Sequence, residues 1–573
     1  MLDGCVARPG DEIDRYRAAG YWTGEPLGAA LRRWAAARPA RTALVGEGRR
    51  VSYAALDAWA DRTAARLRRL GIGPGDRVVV QLPNVPDFVA VCFGLFRIGA
   101  VPVFSLPAHR SYEVRHLCEL SGAVAHVVPG SRRGFDHVEL STALRKEVPS
   151  LRHTLVVGEP RAASRADAIV LEGYPATGTP PAAPFGDAQE PGPGPGPDPH
   201  AQPCPGLDPD PADVAFFLLS GGTTALPKLI PRTHDDYGYQ IRATAAVCGL
   251  GPDTVYLAVL PVEFNFTWGC PGILGTLHAG GTVVFAPDPS PDTCFPLIAA
   301  ERVTLTSVVP TVAHLWMDEA ERGPHDLSSL RRLQIGSAVL HRHVAARVRP
   351  ALGCGLQQVF GMAEGLLTMT RDDDPEEVVL ATQGRPVSPA DEIRVADPAT
   401  GEPVRPGEVG ELLTRGPYTL RGYYRAPEHD RMAFTEDGFF RSGDLVRRTA
   451  RGDLVVVGRV KDVVIRGGDK VSAAELEGHL TRHPRVGQAA VVAVPHPLLG
   501  EAVCACVLPD GDPPDLPELR GMLRDRGVAD FKLPDRLEVY ESFPLTGLGK
   551  VDKKALAADA ARRQAAHDDE GDR

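Results

Sequence analysis

The apolar positions of this 573-residue chain change period several times, and the changes divide it. Residues 27–37 repeat their apolar positions at helical spacing. Residues 77–82, Arg-Val-Val-Val-Gln-Leu, hold three consecutive valines of the kind a strand shows when both of its faces are covered, and 87–96 return to a helical period. Further strands are expected at 100–104 and 125–128. Strands alternating with helices predict a parallel sheet covered on both faces. The pattern resumes with the apolar run 214–219 and continues to about residue 400. The short runs 409–413 and 453–457 read as antiparallel strands. Beyond Lys461, a turn at Gly467 and Gly468, a helix over 473–480, strands over 489–493 and 502–507 and a last helix over 516–526 predict a separate α+β lobe.

Two stretches break the pattern. Residues 175–213 are dense in proline and glycine, with Gly192-Pro-Gly-Pro-Gly-Pro197 at their centre. Such a segment cannot bury a core and is expected to be a disordered surface insertion. After Ala561 the chain is charged and reads as a frayed tail.

Composition narrows the function. The length is too great for one hydrophobic core. A formal net charge of -10 disfavours nonspecific nucleic-acid binding. No run of about 18 apolar residues exists to span a membrane. The N-terminus, Met-Leu-Asp-Gly-Cys, has neither a basic segment nor an apolar one, so a cytoplasmic location is expected. The ten cysteines are scattered, and Cys504-Ala-Cys506 has neither zinc nor redox spacing, which fits reduced thiols. Arginine greatly outnumbers lysine. Four of the eight lysines, Lys228, Lys461, Lys470 and Lys550, fall within glycine-rich or charged motifs. A compact ammonium and a planar guanidinium are not interchangeable, so lysine kept at those places points to chemistry.

The most informative motif follows the run 214–219. Ser220, Gly221, Gly222, Thr223, Thr224 and Lys228 gather hydroxyls, glycines and one ammonium at the end of a strand. Backbone N–H groups and hydroxyls aimed at one point cradle phosphate. The spacing is not that of the ordinary P-loop. Downstream come Gly361-Met-Ala-Glu364-Gly365, Arg441-Ser-Gly-Asp444, Gly458-Arg459-Val-Lys461-Asp462, Arg466-Gly-Gly-Asp-Lys470 and Gly547-Leu-Gly-Lys550.

This ordered set, over about residues 21–556, resembles the adenylate-forming superfamily of acyl- and aryl-CoA synthetases, peptide-synthetase adenylation domains and luciferases. The segments 229–237, 356–364 and 413–424 are similar to those of stand-alone aryl-acid–AMP ligases, the 2,3-dihydroxybenzoate and salicylate type. The resemblance implies an α/β fold. A large N-terminal lobe over 1–460 would hold layered, mainly parallel sheets with helices and a small barrel-like β subdomain. A small mobile α+β lobe would cover 461–560, and a flexible tail 561–573.

It also implies roles. The 220–228 loop would hold the β- and γ-phosphates of ATP, with Gly361 near the nucleotide. This chain has Ala225 where the family usually has glycine. Glu364 would hold Mg2+, which favours one or two carboxylates with phosphate oxygens. Asp444 would accept from the ribose hydroxyls, as an acceptor-only carboxylate can. Arg459 would reach the ribose or the phosphates. Lys550 would contact the carboxylate and α-phosphate as charge develops. Lys461 would be the hinge about which the small lobe swings between adenylation and thiol transfer, and Lys470 would face the site in the second arrangement.

The acid pocket would be lined by 259–272, 335–339 and 361–367. Asn265 would hydrogen-bond a hydroxyl ortho to the carboxylate. Phe264 would gate the site where aryl ligases usually carry histidine. Trp268 and the pair Gly336-Ser337 depart from the family pattern, and Ser337 is carried as a pocket residue. Cys270 and Leu367 match salicylate enzymes, where 2,3-dihydroxybenzoate enzymes carry serine and valine; Cys is a poor hydrogen-bond partner and Leu fills space a second hydroxyl needs. Salicylate is therefore favoured, with 3-hydroxypicolinate and 2,3-dihydroxybenzoate as rivals. The acceptor would be the phosphopantetheine thiol of a separate aryl-carrier protein. An aryl-CoA ligase using free CoA is the alternative, ahead of a non-catalytic relic or an oxygenase of the luciferase kind.

Overall fold

The structure is a computed structural model that describes residues 2–571 apart from 131–133, 161–167, 172, 174–208, 221–225, 467–468, 497–498, 527, 529 and 547–548. Most of the expected insertion at 175–213, the glycines and threonines of the 220–228 loop and the Gly467-Gly468 turn thus lie outside the described residues.

Two large sheets build the N-terminal part. The first runs in the order Ile169–Leu171, His153–Val157, Ala125–Pro129, Arg77–Val80, Val101–Phe104, Val214–Leu219, Leu229–Thr233. Its strands are parallel except for the final pair. The second runs from Arg385–Pro386 through Leu367–Met369, Gly355–Gly361, Arg332–Gly336, Leu305–Val308, Val255–Ala258, Thr282–Phe285 and Thr42–Gly46 to Arg49–Ser52. Its interior strands are parallel and its edges antiparallel. Interior strands of a parallel sheet are covered on both faces, which is why Val78, Val79 and Val80 are all fully buried.

The helix Pro86–Arg97 has every residue buried. Pro86 stands at its first position, where a fixed φ suits the helix and the missing N–H costs nothing. Phe88, Phe93 and Phe96 share one core with Val78 and Val80 of the first sheet and Leu44 and Tyr256 of the second, so this helix joins the two sheets. The strands Val214–Leu219, Val255–Ala258, Arg332–Gly336 and Gly355–Gly361 lead from their carboxyl ends into residues 220, 259–265, 337 and 361–364. Open α/β sheets bind ligands beyond such ends.

A third, antiparallel sheet contains Glu392–Ala396, Val409–Arg415, Phe440–Arg448 and Leu454–Arg459, and its register sets Asp444 opposite Arg459. The short turn Val460–Asp462 leads to the last sheet, ordered Asp469–Ser472, Val463–Arg466, Gly500–Pro509, Val486–His496, with Arg536–Val539 parallel to Gly500–Pro509. The helices Ala473–Leu480 and Leu516–Asp525 pack into one core of this sheet. Ser472 caps the first of them, accepting from the N–H of Glu475. No helix among the described residues is long and apolar enough to cross a membrane.

The end of the chain corrects the sequence reading. The last helix is not 516–526 but Lys553–Gly571, which takes up most of the segment expected as a tail. Leu556 and Ala560 bury a narrow seam in the second core of the small sheet. Alanine and arginine favour helix along the rest, so a helix with so thin an apolar stripe reads as a charged tail.

Phe93 meets Trp34 and Phe96 edge-on at 6.1 and 5.6 Å between ring centroids. Phe93→Ala should destabilise the N-terminal lobe by about 3–5 kcal/mol, seen as a lower urea midpoint for that transition.

Candidate active site

The strand Val214–Leu219 ends at Ser220, and its hairpin partner begins at Leu229. The neck of the intervening loop is closed by two bonds: the N–H of Ser220 donates to the carbonyl of Lys228 at 2.9 Å, and the N–H of Lys228 donates to Ser220 Oγ at 3.0 Å. Gly221, Gly222, Thr223 and Thr224 lie outside the described residues. Lys228 Nζ sits 5.8 Å from the centre of the Tyr423 ring, and the Tyr423 hydroxyl donates to Glu364 Oε1 at 2.8 Å. The loop neck and Glu364 are therefore neighbours.

Arg232, four residues beyond Lys228, has no exposed surface. Its guanidinium donates to Asp236 Oδ1 at 3.0 Å, to Gln240 Oε1 at 2.9 Å, to the carbonyl of Ala363 at 3.1 Å and to that of Tyr418 at 3.3 Å. It also lies 4.7 Å from the centre of the Tyr237 ring. One cation thus fixes the strand, the following helix His234–Val247 and the turn carrying Glu364. That turn is tight: Gly365 packs so closely on Thr419 that an added Cβ would come within 2.6 Å of its Cα.

Glu364, Asp444, Arg459 and Lys550 come together at the meeting of the third sheet and the small lobe. Arg459 Nε lies 2.9 Å from Asp444 Oδ1. Burial raises the pKa of Asp444, opposed by the charges of Arg459 and Lys550. Burial likewise raises that of Glu364, opposed by the Tyr423 hydrogen bond and the charge of Arg459. Burial and the charge of Arg459 push the pKa of Lys550 down, opposed by Asp444 and Glu364. The Lys550 loop is pinned by a bond from the N–H of Thr546 to the carbonyl of Lys550 at 2.7 Å. Ser472 Oγ, which donates to the carbonyl of Val457 at 3.1 Å, holds the small lobe against the third sheet. Such a cluster can bind a polyanion and keep an ammonium over it.

Beside it lies an apolar cluster containing Tyr239, Leu260, Phe266, Cys270, Val309, Val359 and Leu367, with Phe264 packed against it. Asn265 opens the helix Asn265–Gly269. Its Oδ1 accepts from the Tyr237 hydroxyl at 2.8 Å and from Gln240 Nε2 at 3.0 Å, and its Nδ2 donates to the carbonyl of Met362 at 3.3 Å. The expected contact with a phenol is thereby narrowed: Oδ1 already has two donors, and Nδ2 has one N–H to offer. Cys270 Sγ lies 3.5 Å from Gln240 Nε2, and burial raises its pKa, so it stays a neutral thiol. Leu367 is 2% exposed, and its N–H donates to the Tyr418 hydroxyl at 3.3 Å. Ser337 is exposed at the end of its strand with φ of 69°. Gly361 admits no side chain, because a Cβ would lie 2.3 Å from Leu367. Lys461 is exposed in the turn Val460–Asp462, and Lys470 stands on the strand Asp469–Ser472 opposite Ile465.

Arg232, Tyr237, Gln240 and Tyr423 are absent from the residues chosen by sequence. Arg232, Tyr237 and Tyr423 nonetheless lie in the resembling segments 229–237 and 413–424, whereas Gln240 lies in none of them.

Comparison with known families decides the wider assignment. The family of AMP-binding enzymes matches residues 31–424, and its C-terminal domain matches 475–550. The chain belongs to the AMP-binding enzyme family. It is 48% identical over 97% of both chains to the 2,3-dihydroxybenzoate-AMP ligase of Bacillus subtilis (strain 168). It is 47% identical to the salicyl-AMP ligase / salicyl-S-ArCP synthetase of Mycobacterium tuberculosis (strain ATCC 25618 / H37Rv), over 97% of this chain and 94% of that one. The apo structure of Mycobacterium smegmatis MbtA covers 97% of this chain and 98% of its own at 46% identity, with a TM-score of 0.69. ATP-bound MatB from Rhodopseudomonas palustris covers 93% and 99% at 26% identity, with a TM-score of 0.79.

Tyr423→Phe removes the hydrogen bond that counters the burial of Glu364, so its pKa should rise further. Activity that needs the carboxylate is lost as pH falls through that pKa. The acid limb of ATP–pyrophosphate exchange should therefore move to higher pH, as a pH–rate profile would show.

Proposed function

We propose that this AMP-binding enzyme activates an ortho-hydroxy aryl acid, with salicylate favoured, and then passes the acyl group to the phosphopantetheine thiol of a separate aryl-carrier protein. The observation that carries the reading is the convergence of Lys550, Asp444, Arg459 and Glu364 beside an apolar pocket that ends in an amide N–H of Asn265. Attack of a carboxylate oxygen on the α-phosphate of ATP breaks the bond to the β-phosphate and releases pyrophosphate; it brings two anions together, and the groups present supply what that needs. Lys550 and Arg459 neutralise charge on the entering carboxylate and the phosphates, and Asp444 accepts from the ribose.

The donor set also fits Mg2+. Among the described residues no group of three or more His, Cys, Asp or Glu could form a protein cage. Glu364 commits one oxygen to Tyr423, and its carboxylate with phosphate oxygens is the arrangement magnesium favours. Bound there, the ion would neutralise phosphate charge.

The acid is argued from two side chains. A neutral Cys270 thiol is a weak partner for a 3-hydroxyl, and buried Leu367 fills the space one would need. Relatives named for 2,3-dihydroxybenzoate and for salicylate stand at 48% and 47% identity, so overall likeness does not choose between them. Free CoA is the second reading for the acceptor, favoured by relatives at 47% identity named as a salicylyl-CoA synthase of Streptomyces sp and a naphthoate–CoA ligase of Streptomyces carzinostaticus. The better superposition on an ATP-bound structure than on an apo one supports reading this arrangement of lobes as the adenylate-forming one. Lys461 would then be the hinge between lobes at 1–460 and 461–560, and Lys470 the lysine that faces the site after the swing.

Lys550→Ala should lower ATP–pyrophosphate exchange by about 10²–10³-fold with ATP affinity little changed; unchanged exchange would remove Lys550 from the mechanism. Combining Cys270→Ser with Leu367→Val should raise kcat/KM for 2,3-dihydroxybenzoate relative to salicylate by about tenfold, the scale of one weak contact. An unmoved ratio, or exchange only with 3-hydroxypicolinate, would overturn the choice of acid.

A further inference from the structure

Three residues beyond Lys550, a second lysine makes contacts that the proposed reaction does not require. Lys553 opens the final helix, and its Nζ lies 2.6 Å from Glu477 Oε1 and 3.9 Å from Asp462 Oδ2. Glu477 belongs to the helix Ala473–Leu480, and the same Oε1 accepts from the N–H of Val491 at 2.7 Å. Its side chain is 14% exposed. Burial raises its pKa, and Lys553 opposes this most. Asp462 follows Lys461 in the turn between the third sheet and the small lobe. One ammonium therefore ties together that turn, a helix of the small lobe and the chain that leaves the Lys550 loop.

The loop itself is closed on its near side. Leu545 and Val551 form an isolated antiparallel bridge, and the N–H of Lys550 donates to Thr546 Oγ1 at 3.2 Å. Only Val551 and Asp552 separate Lys550 from Lys553, at most about 10 Å of extended chain. Gly547 and Gly549 precede Lys550, and glycine adds little stiffness of its own to a loop. The bridge and the hydrogen bonds tie the two arms of the loop to each other, and Lys553 ties the loop as a unit to the turn and to the helix Ala473–Leu480.

We propose that Lys553 and Glu477, with Asp462, form a positioning clamp that registers the Lys550 loop on the turn between the lobes. The clamp rests on the reading of Lys550 given above. None of the three is assigned a contact with the substrates in the reading above, so each would act through the position of Lys550. Its effect falls on adenylation, which uses Lys550, and not on thiol transfer, which does not. An ion pair that only stabilised the lobe would affect both half-reactions alike, or neither.

Three variants of the full chain test this. Glu477→Gln keeps an acceptor for Val491 and removes the charge. Lys553→Met keeps the length of the side chain, and Lys553→Arg keeps the charge. Adenylation is read by ATP–pyrophosphate exchange, thiol transfer from preformed acyl-adenylate, and loop order by deuterium exchange of the 545–551 amides. Glu477→Gln and Lys553→Met should lose about ten- to a hundredfold in kcat for exchange, the scale of a small misplacement, with the KM for ATP within about twofold. Thiol transfer should stay within about threefold, Lys553→Arg should recover most of the loss, and the 545–551 amides should exchange faster in the two weakened variants. Equal losses in both half-reactions, an unchanged kcat, or unchanged amide exchange would overturn the clamp. A wild-type chain that catalyses no exchange with any aryl acid would instead sink the functional reading, and the amide exchange alone would then decide the clamp.

Discussion

The buried guanidinium of Arg232 is the constraint on which the N-terminal site depends. A cation taken wholly out of water is tolerated only when its donors are met, and here they are met by Asp236, Gln240 and two backbone carbonyls. Those partners come from separate parts of the chain, including the turns at 363 and 418. Removing the cation would take the counter-charge from Asp236, itself 5% exposed, and leave it only the bonds from Thr233; breaking a buried pair typically costs about 3–5 kcal/mol. Gln240, one of those partners, also donates to Asn265. The same network therefore sets the positions of Glu364 and of the acid pocket.

A second balance operates where the lobes meet. Glu364 and Asp444 are pushed toward neutrality by burial, and so is Lys550; the opposite charges around each hold it back. Two carboxylates and two cations cancel in formal charge, so the cluster is least costly when complete. Arg459 differs from the rest in being 55% exposed. Its own charge stays in contact with water when it turns toward a ligand, and Asp444 then keeps Lys550 as a counter-charge.

The legibility of the sequence followed burial on both faces. Val78 to Val80 are hydrophobic without interruption because sheet neighbours and helices cover them, and the sequence reading placed that strand. The helices Leu27–Ala37 and Ala473–Leu480 were legible from end to end. The helix Lys553–Gly571 was not, because its apolar seam is only a few residues wide. Arg232 lay within the segment 229–237 with no role assigned, because arginine is rarely buried and only the fold shows this one sealed from water. The motif residues were legible because glycine, lysine and carboxylate at fixed spacing have few structural explanations. The hydrogen bonds that orient them, from Tyr423 and Gln240, join residues distant in sequence, and that pairing had no local trace.

The division of labour among the sheets has a consequence for how this architecture can diversify. Asp444 and Arg459 stand on the four-stranded antiparallel sheet, whereas Leu367 stands on the second strand of the nine-stranded one and Cys270 between the helices Asn265–Gly269 and Gly272–Ala279. Substitutions that reshape the apolar pocket leave the Asp444–Arg459 pair on a different framework. Replacements that reshape the apolar cluster can therefore accumulate without displacing the charged pair, because the two are carried by different sheets.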